Sequence, residues 1–325
     1  MNNKPRFKFA ISMLSLVLVA CSGGSAEAGC PEIDNREINV VATTPMIGEF
    51  VSQVGGDNIN LTVLMPPEAD PHNYDPAPQD AGKIADADLV FYTGLKYEPA
   101  VLIKLLENSA CSAEVLAEVG ENVFPIEFKE GGHDDHDEEG HDDHAGHDHG
   151  AYDPHFWFDP NRVAYAAEYI ESKLVEFDPS NASDYEAAGK AYVTELKGLV
   201  SQVSELISTI PSQNRKLITT HESLGYLEAK FGLEVLSTII PSVDSANEIS
   251  PSQLVGVIDV IEDNNVKAIF IEAEAPSVYA ETIVAETGIK AVEGLWVETL
   301  KEGQSYPEFL FEAVELIVEN LKNTD

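Results

Sequence analysis

Short apolar runs alternate with helical patterns along most of this 325-residue chain. INVVATT (38–44), NINLTVL (58–64) and DLVFYTG (88–94) read as strands. They lack apolar–polar alternation, as strands covered on both faces do. PMIGEFVSQVGG follows the first of them and reads as a helix, with Pro45 suited to its start and Gly55 to its end. A further helix is expected over 98–109. The pattern restarts at KLITT (216–220), EVLSTII (234–240), KAIFIE (267–272) and KAVEGL (290–295). Strand–helix alternation implies parallel pairing, so the predicted class is α/β: two lobes, each with a mainly parallel sheet.

Between the two series, Tyr192, Leu196, Leu199, Val203, Leu206 and Ile210 recur at spacings of three and four. That spacing marks one apolar face on a helix of about 25 residues, roughly 38 Å long. Such a helix exceeds an ordinary connection and is read as a rigid link between the lobes. The competing reading packs it within one lobe. The expected organisation is a signal segment (1–20), a tether (21–36), a first lobe (37–178), a linking helix (179–211) and a second lobe (212–325).

The N-terminus changes the expected location. Lys4, Arg6 and Lys8 precede an apolar run (9–19) too short to span a bilayer as a mature helix. Small residues before Cys21 fit a bacterial lipoprotein signal, with Cys21 lipidated and the Gly/Ser-rich stretch after it a flexible tether. An ordinary secretory signal is the alternative. Either way the mature chain meets an oxidising compartment. Cys30 before the first strand and Cys111 after a helix returning to the same sheet edge are expected to pair as a disulfide.

The formal charge is −38. A surface this acidic repels nucleic acid and attracts cations, although adaptation to a saline medium accounts for most of it. Residues 131–150, GGHDDHDEEGHDDHAGHDHG, hold His133, His136, His141, His144, His147 and His149, and no lysine or arginine. With almost nothing apolar to bury, this stretch of the expected 129–151 loop cannot build a core. It reads as an auxiliary metal-collecting arm or as an inert acidic insertion.

Three histidines lie elsewhere: His72 in DPHNYDP, His155 in DPHFWFDP and His221 in ITTHESLGYL. Each is expected to follow a predicted strand, and open α/β sheets bind ligands beyond the carboxyl ends of their strands. Imidazoles converging there suit zinc. Glu298, beyond the last strand, is the expected fourth ligand, with Glu272 and Glu274 as competitors. Since free imidazole titrates near 6.5, affinity is expected to fall steeply below about pH 6.

These stretches, with KAIFIEAEAPSVYAETIVAETGIKAVEGL, resemble the metal-binding lipoproteins and periplasmic proteins of zinc and manganese ABC importers. The resemblance runs from about residue 37 to the C-terminus. It implies two α/β lobes joined by one long helix, metal in the interlobe cleft, a permease partner and no enzymatic activity. Carried over by position, the ligands are His72, His155 and His221. Histidine at the third position resembles the zinc branch, whereas glutamate there resembles the manganese branch. The fourth family position is usually aspartate, and Glu298 replaces it. An adhesin role described for some relatives stays open, and a monomer is expected. A hydrolytic zinc would need a base beside it, for which Glu222 is the only obvious candidate; no His-Glu-x-x-His, Gly-x-Ser-x-Gly or glycine-rich phosphate loop is present.

Overall fold

The computed structural model describes residues 30, 33, 36–128, 152–242, 249–274 and 277–322. The signal segment, Cys21 and the six histidines of the 129–151 loop lie outside them.

β1 (Ile38–Ala42), β2 (Ile59–Val63), β3 (Leu89–Tyr92) and β4 (Leu116–Glu118) form a parallel sheet in the order β2-β1-β3-β4. β5 (Lys216–Thr219), β6 (Glu234–Thr238), β7 (Ala268–Glu272) and β8 (Lys290–Leu295) repeat that topology as β6-β5-β7-β8. The first sheet is flanked by α1 (Pro45–Gly55), α2 (Asp80–Ala85), α3 (Ala100–Ser109) and α4 (Pro160–Phe177). After α5 (Ala182–Ser208), the second lobe adds α6 (Gly225–Phe231), α7 (Pro251–Asn264), α8 (Ala280–Thr287) and α9 (Tyr306–Lys322).

The uninterrupted apolar strands have a structural explanation. Ile38, Val40 and Ala42 of β1 enter a large core with residues of α1, α4, α5 and α9, while Val41 joins Ile84, Leu102 and Leu106 on the opposite face. In β7, Ala268 and Phe270 face the large core, and Ile269 and Ile271 face Val257, Ile261 and Ile283. Successive side chains still alternate in direction, but both directions lead into apolar layers. β4 was not anticipated: it is three residues long, at a sheet edge, and rich in helix-favouring Ala and Glu.

The linking helix α5 has 27 residues, about 40 Å at 1.5 Å per residue. It packs on α1 and α4 on one side and on α6 and α9 on the other, so it belongs to both lobes. Its buried face differs from the expected one at the C-terminal end. Ile207 is buried in place of half-buried Leu206, and Ile210 is buried beyond the helix end. Cys30 and Cys111 are joined by a disulfide, with a Cα–Cα separation of 5.0 Å. It ties the segment before β1 to the end of α3.

Candidate metal centre

His72 follows β2 through the loop from 64 to 70 and sits in a short 3-10 turn, Pro71–Asn73. Asp70 caps that turn, its Oδ1 accepting the His72 backbone N–H at 3.0 Å. His221 emerges two residues past β5, and Glu298 three residues past β8. All three therefore lie beyond carboxyl ends of parallel strands. His155 departs from the expectation: it stands just before the 3-10 turn Phe156–Phe158 that leads into α4, and not at a strand end. Proline and Asp159 explain the turn. Asp159 caps α4 and Pro160 fills its first position, where the missing N–H costs no helical bond.

The four side chains meet, their ligand atoms all within 4.8 Å of one another. Three imidazole Nε2 atoms surround one oxygen, Glu298 Oε1: His221 at 2.7 Å, His155 at 3.2 Å and His72 at 3.5 Å. Donors about 2.05 Å from a single zinc at tetrahedral angles would lie about 3.3 Å apart. His155, His221 and Glu298 are fully buried, and the His72 side chain is 3% exposed. The Nε2 atoms of His72 and His221 face Glu298 Oε1 at those distances without good hydrogen-bond geometry, and Glu298 Oε2 is buried without a hydrogen-bond partner. Buried polar atoms are normally satisfied, so a buried cluster of ring nitrogens and carboxylate oxygens left short of well-formed hydrogen bonds fits a cation-binding position.

Two rings are oriented from behind. Asp153 Oδ1 accepts from both the backbone N–H of His155 (2.9 Å) and its Nδ1 (2.8 Å). Glu272 accepts from His221 Nδ1, from the His221 backbone N–H (3.2 Å) and from Ser223 Oγ (3.1 Å). A carboxylate on Nδ1 fixes the tautomer that leaves Nε2 free to bind metal. Asp153 was missed in the sequence, though it is the Asp of the second Asp-Pro-His.

Glu272 and Glu274, the competitors for the fourth position, therefore have other contacts. Glu274 accepts the backbone N–H groups of Val297 (3.1 Å), Glu298 (3.0 Å) and Thr299 (3.3 Å) and so shapes the Glu298 loop. The opposite edge of that loop bonds to the first lobe. Tyr97 Oη donates to the Glu298 carbonyl at 2.9 Å, and Trp157 Nε1 to the Val297 carbonyl at 2.8 Å. Tyr97 also meets the His72 ring edge-on, with ring centroids 5.0 Å apart. Glu222, the candidate base, is absent from the group of four; its backbone N–H bonds the Ser242 carbonyl.

The electrostatics follow from these contacts. Burial opposes charge on His155, but Glu298 and Asp153 outweigh it and raise the imidazole to about 9. Burial likewise opposes charge on His221, and Glu272 and Glu298 raise it well above the usual histidine value. Burial would lift Glu298, yet the three histidines hold it well below the ordinary carboxylate range. Burial, reinforced by the Glu298 charge, pushes Glu274 up to about 8. The Glu298 anion thus sits against the raised His155 and His221 imidazoles, and a divalent cation can take the place of their protons.

Comparison with known proteins places the chain. The family described as zinc-uptake complex component A, periplasmic (ZnuA) matches residues 40–320. The metal ABC transporter substrate-binding lipoprotein ScbA of Streptococcus cristatus is 29% identical, over 98% of this chain and 99% of its own. The manganese-binding lipoprotein MntA of Halalkalibacterium halodurans is 25% identical, over 87% of this chain and 86% of its own. The solved structure of the periplasmic zinc-binding protein TroA of Treponema pallidum aligns with a TM-score of 0.73 at 23% identity, covering 88% of this chain and 100% of that one. With the match spanning both lobes, the chain belongs to the ZnuA family and is a metal-binding, substrate-binding component of an ABC importer, not an enzyme.

Proposed function

We propose that this protein captures Zn2+ outside the cytoplasm, holds it through His72, His155 and His221 Nε2 and the Glu298 carboxylate, and delivers it to an ABC permease. The observation that carries this reading is the convergence of three buried Nε2 atoms on one buried carboxylate oxygen. Zinc accepts a tetrahedral N3O set with no d-electron preference, whereas manganese favours more oxygen donors. Asp153 and Glu272 hold two of the imidazoles in the metal-binding tautomer. His72 and His155 come from the first lobe, and His221 and Glu298 from the second, so parting the lobes splits the ligand set in two. Docking on the permease would release the ion by that separation.

Among the described residues no helix is long and apolar enough to cross a membrane. Attachment is assigned to a lipid on Cys21, and the histidines of 131–150 to collecting zinc for the deeper centre. Manganese is the second reading, favoured by the manganese-binding relative. Competition titration against a chromogenic chelator decides between them. One tight zinc per chain, outcompeting manganese and lost on alanine replacement of His72, His155 or His221, supports the zinc reading. Tighter manganese would replace it, and wild-type affinity in any of the three variants would remove that residue.

A further inference from the structure

Four aromatic side chains cross between the lobes, two in each direction, and each donates a hydrogen bond to a backbone carbonyl of a proposed ligand or of a residue within two positions of one. From the first lobe, Tyr97 reaches the Glu298 carbonyl and Trp157 the Val297 carbonyl. From the second lobe, Tyr226 Oη donates to the Asp153 carbonyl at 2.8 Å and Tyr306 Oη to the Trp157 carbonyl at 2.7 Å. Tyr97, Trp157 and Tyr306 are essentially unexposed, as is Tyr226. The Glu298 loop is divided between two masters: its N–H groups bond Glu274 of its own lobe, and its carbonyls bond the opposite lobe.

The segment that carries Tyr97 is built to hold it there. Gly94, Leu95 and Lys96 lie consecutively in the left-handed region, with φ of 76°, 53° and 63°. Two of the three are not glycine, a run that persists only where surrounding contacts impose it. Here buried Glu98 accepts from Thr93 N–H (2.7 Å), Gly94 N–H (2.9 Å) and Thr43 Oγ1 (2.7 Å), and Glu118 accepts from Leu95 N–H (2.9 Å).

We propose that these reciprocal aromatic bonds, with Tyr97 foremost, form a latch that sets how fast the metal leaves by resisting separation of the lobes. None of the latch bonds uses a ligand atom. Tyr97 is a positioning residue: on opening, the Glu298 loop keeps its Glu274 bonds, gives up its two cross-lobe bonds and withdraws with the second lobe. The proposal rests on the reading of His72, His155, His221 and Glu298 as the metal site.

The test is stopped-flow measurement of zinc uptake and of zinc release to excess chelator, using the full chain with Tyr97→Phe, Tyr306→Phe and both together. Tyr185→Phe is the control, since Tyr185 Oη bonds Asp178 at 2.8 Å, away from the cleft. One net hydrogen bond corresponds to an increase in release rate of about 2- to 10-fold for each latch variant, with uptake nearly unchanged. The double variant releases faster than either, and Tyr185→Phe releases like wild type. Tyr306 Oη bonds the Trp157 carbonyl and not a proposed ligand, so faster release in Tyr306→Phe separates latching from a local disturbance of Glu298. Wild-type release from folded Tyr97→Phe and Tyr306→Phe overturns the latch, as does equal acceleration by Tyr185→Phe. Failure of wild-type protein to bind zinc tightly would instead sink the site reading beneath it.

Discussion

The charge state of the centre makes zinc binding a proton exchange over a range well above the titration of free histidine. With His155 raised to about 9, its imidazole is protonated in metal-free protein at pH 7. Zinc must displace that proton, because a ligating imidazole is neutral. Two units below the titration point the displacement weakens apparent affinity about 100-fold, or about 2.7 kcal/mol at 1.36 kcal/mol per unit. Affinity should therefore rise about tenfold per pH unit between 7 and 9 for one proton, and more steeply if His221, raised by Glu272 and Glu298, gives one up too. The expectation from unperturbed histidines, a fall only below about pH 6, is displaced upward by the buried carboxylates. Calorimetry at pH 7 in buffers of different ionisation enthalpy counts the protons, and chelator competition from pH 6.5 to 9 gives the slope. At least one proton released per zinc, with rising affinity, is expected. No proton release and a flat affinity from pH 7 to 9 would refute the reasoning. The sign for metal-free stability is opposite. A histidine raised on folding stabilises fully below about 6.5 and loses that contribution as pH climbs through about 9, so the metal-free Tm should drop across that window.

Three other outcomes are open to measurement. Asp153→Asn and Glu272→Gln should each weaken zinc about 10- to 100-fold with little change in Tm, the range for losing a carboxylate behind a ligating imidazole; wild-type affinity in both would show that they do not orient the rings. Gly225→Ala should weaken zinc about tenfold, because a Cβ there would lie 2.5 Å from Asp153 Oδ2, and unchanged binding would mean that Asp153 has room to move. Reducing Cys30–Cys111 should lower unfolding free energy by up to about 4.5 kcal/mol, from a sequence separation of 81; an unchanged denaturant midpoint would show that the loop is constrained by other means.

Much of the architecture could be read from pattern because strand–helix alternation admits few topologies. Seven of the eight strands among the described residues coincide with apolar runs. β4 was hidden because three residues of mixed composition carry no period, and its place at the edge comes from pairing with β3. At the end of α5, Leu206 and Ile207 are neighbours of equal apolarity, and only packing against other elements decides which is buried. The histidines stood out through their repeated Asp-Pro-His contexts and their scarcity outside residues 131–150. The glutamates did not sort themselves, since Glu272 ends a strand and Glu274 and Glu298 follow strands closely. What separates them is direction: Glu272 turns to His221 Nδ1, Glu274 to a row of backbone N–H groups, and Glu298 to three Nε2 atoms. The cross-lobe bonds of Tyr97 and Trp157 join residues 201 and 140 positions apart, beyond any local signal.

The most direct test is a crystal structure of the zinc-loaded protein with anomalous data collected on both sides of the zinc edge. One strong anomalous peak is expected between the lobes, about 2.0–2.2 Å from the Nε2 atoms of His72, His155 and His221 and from a Glu298 oxygen. A fully loaded chain with no peak at that position, its zinc held elsewhere, would contradict the central claim.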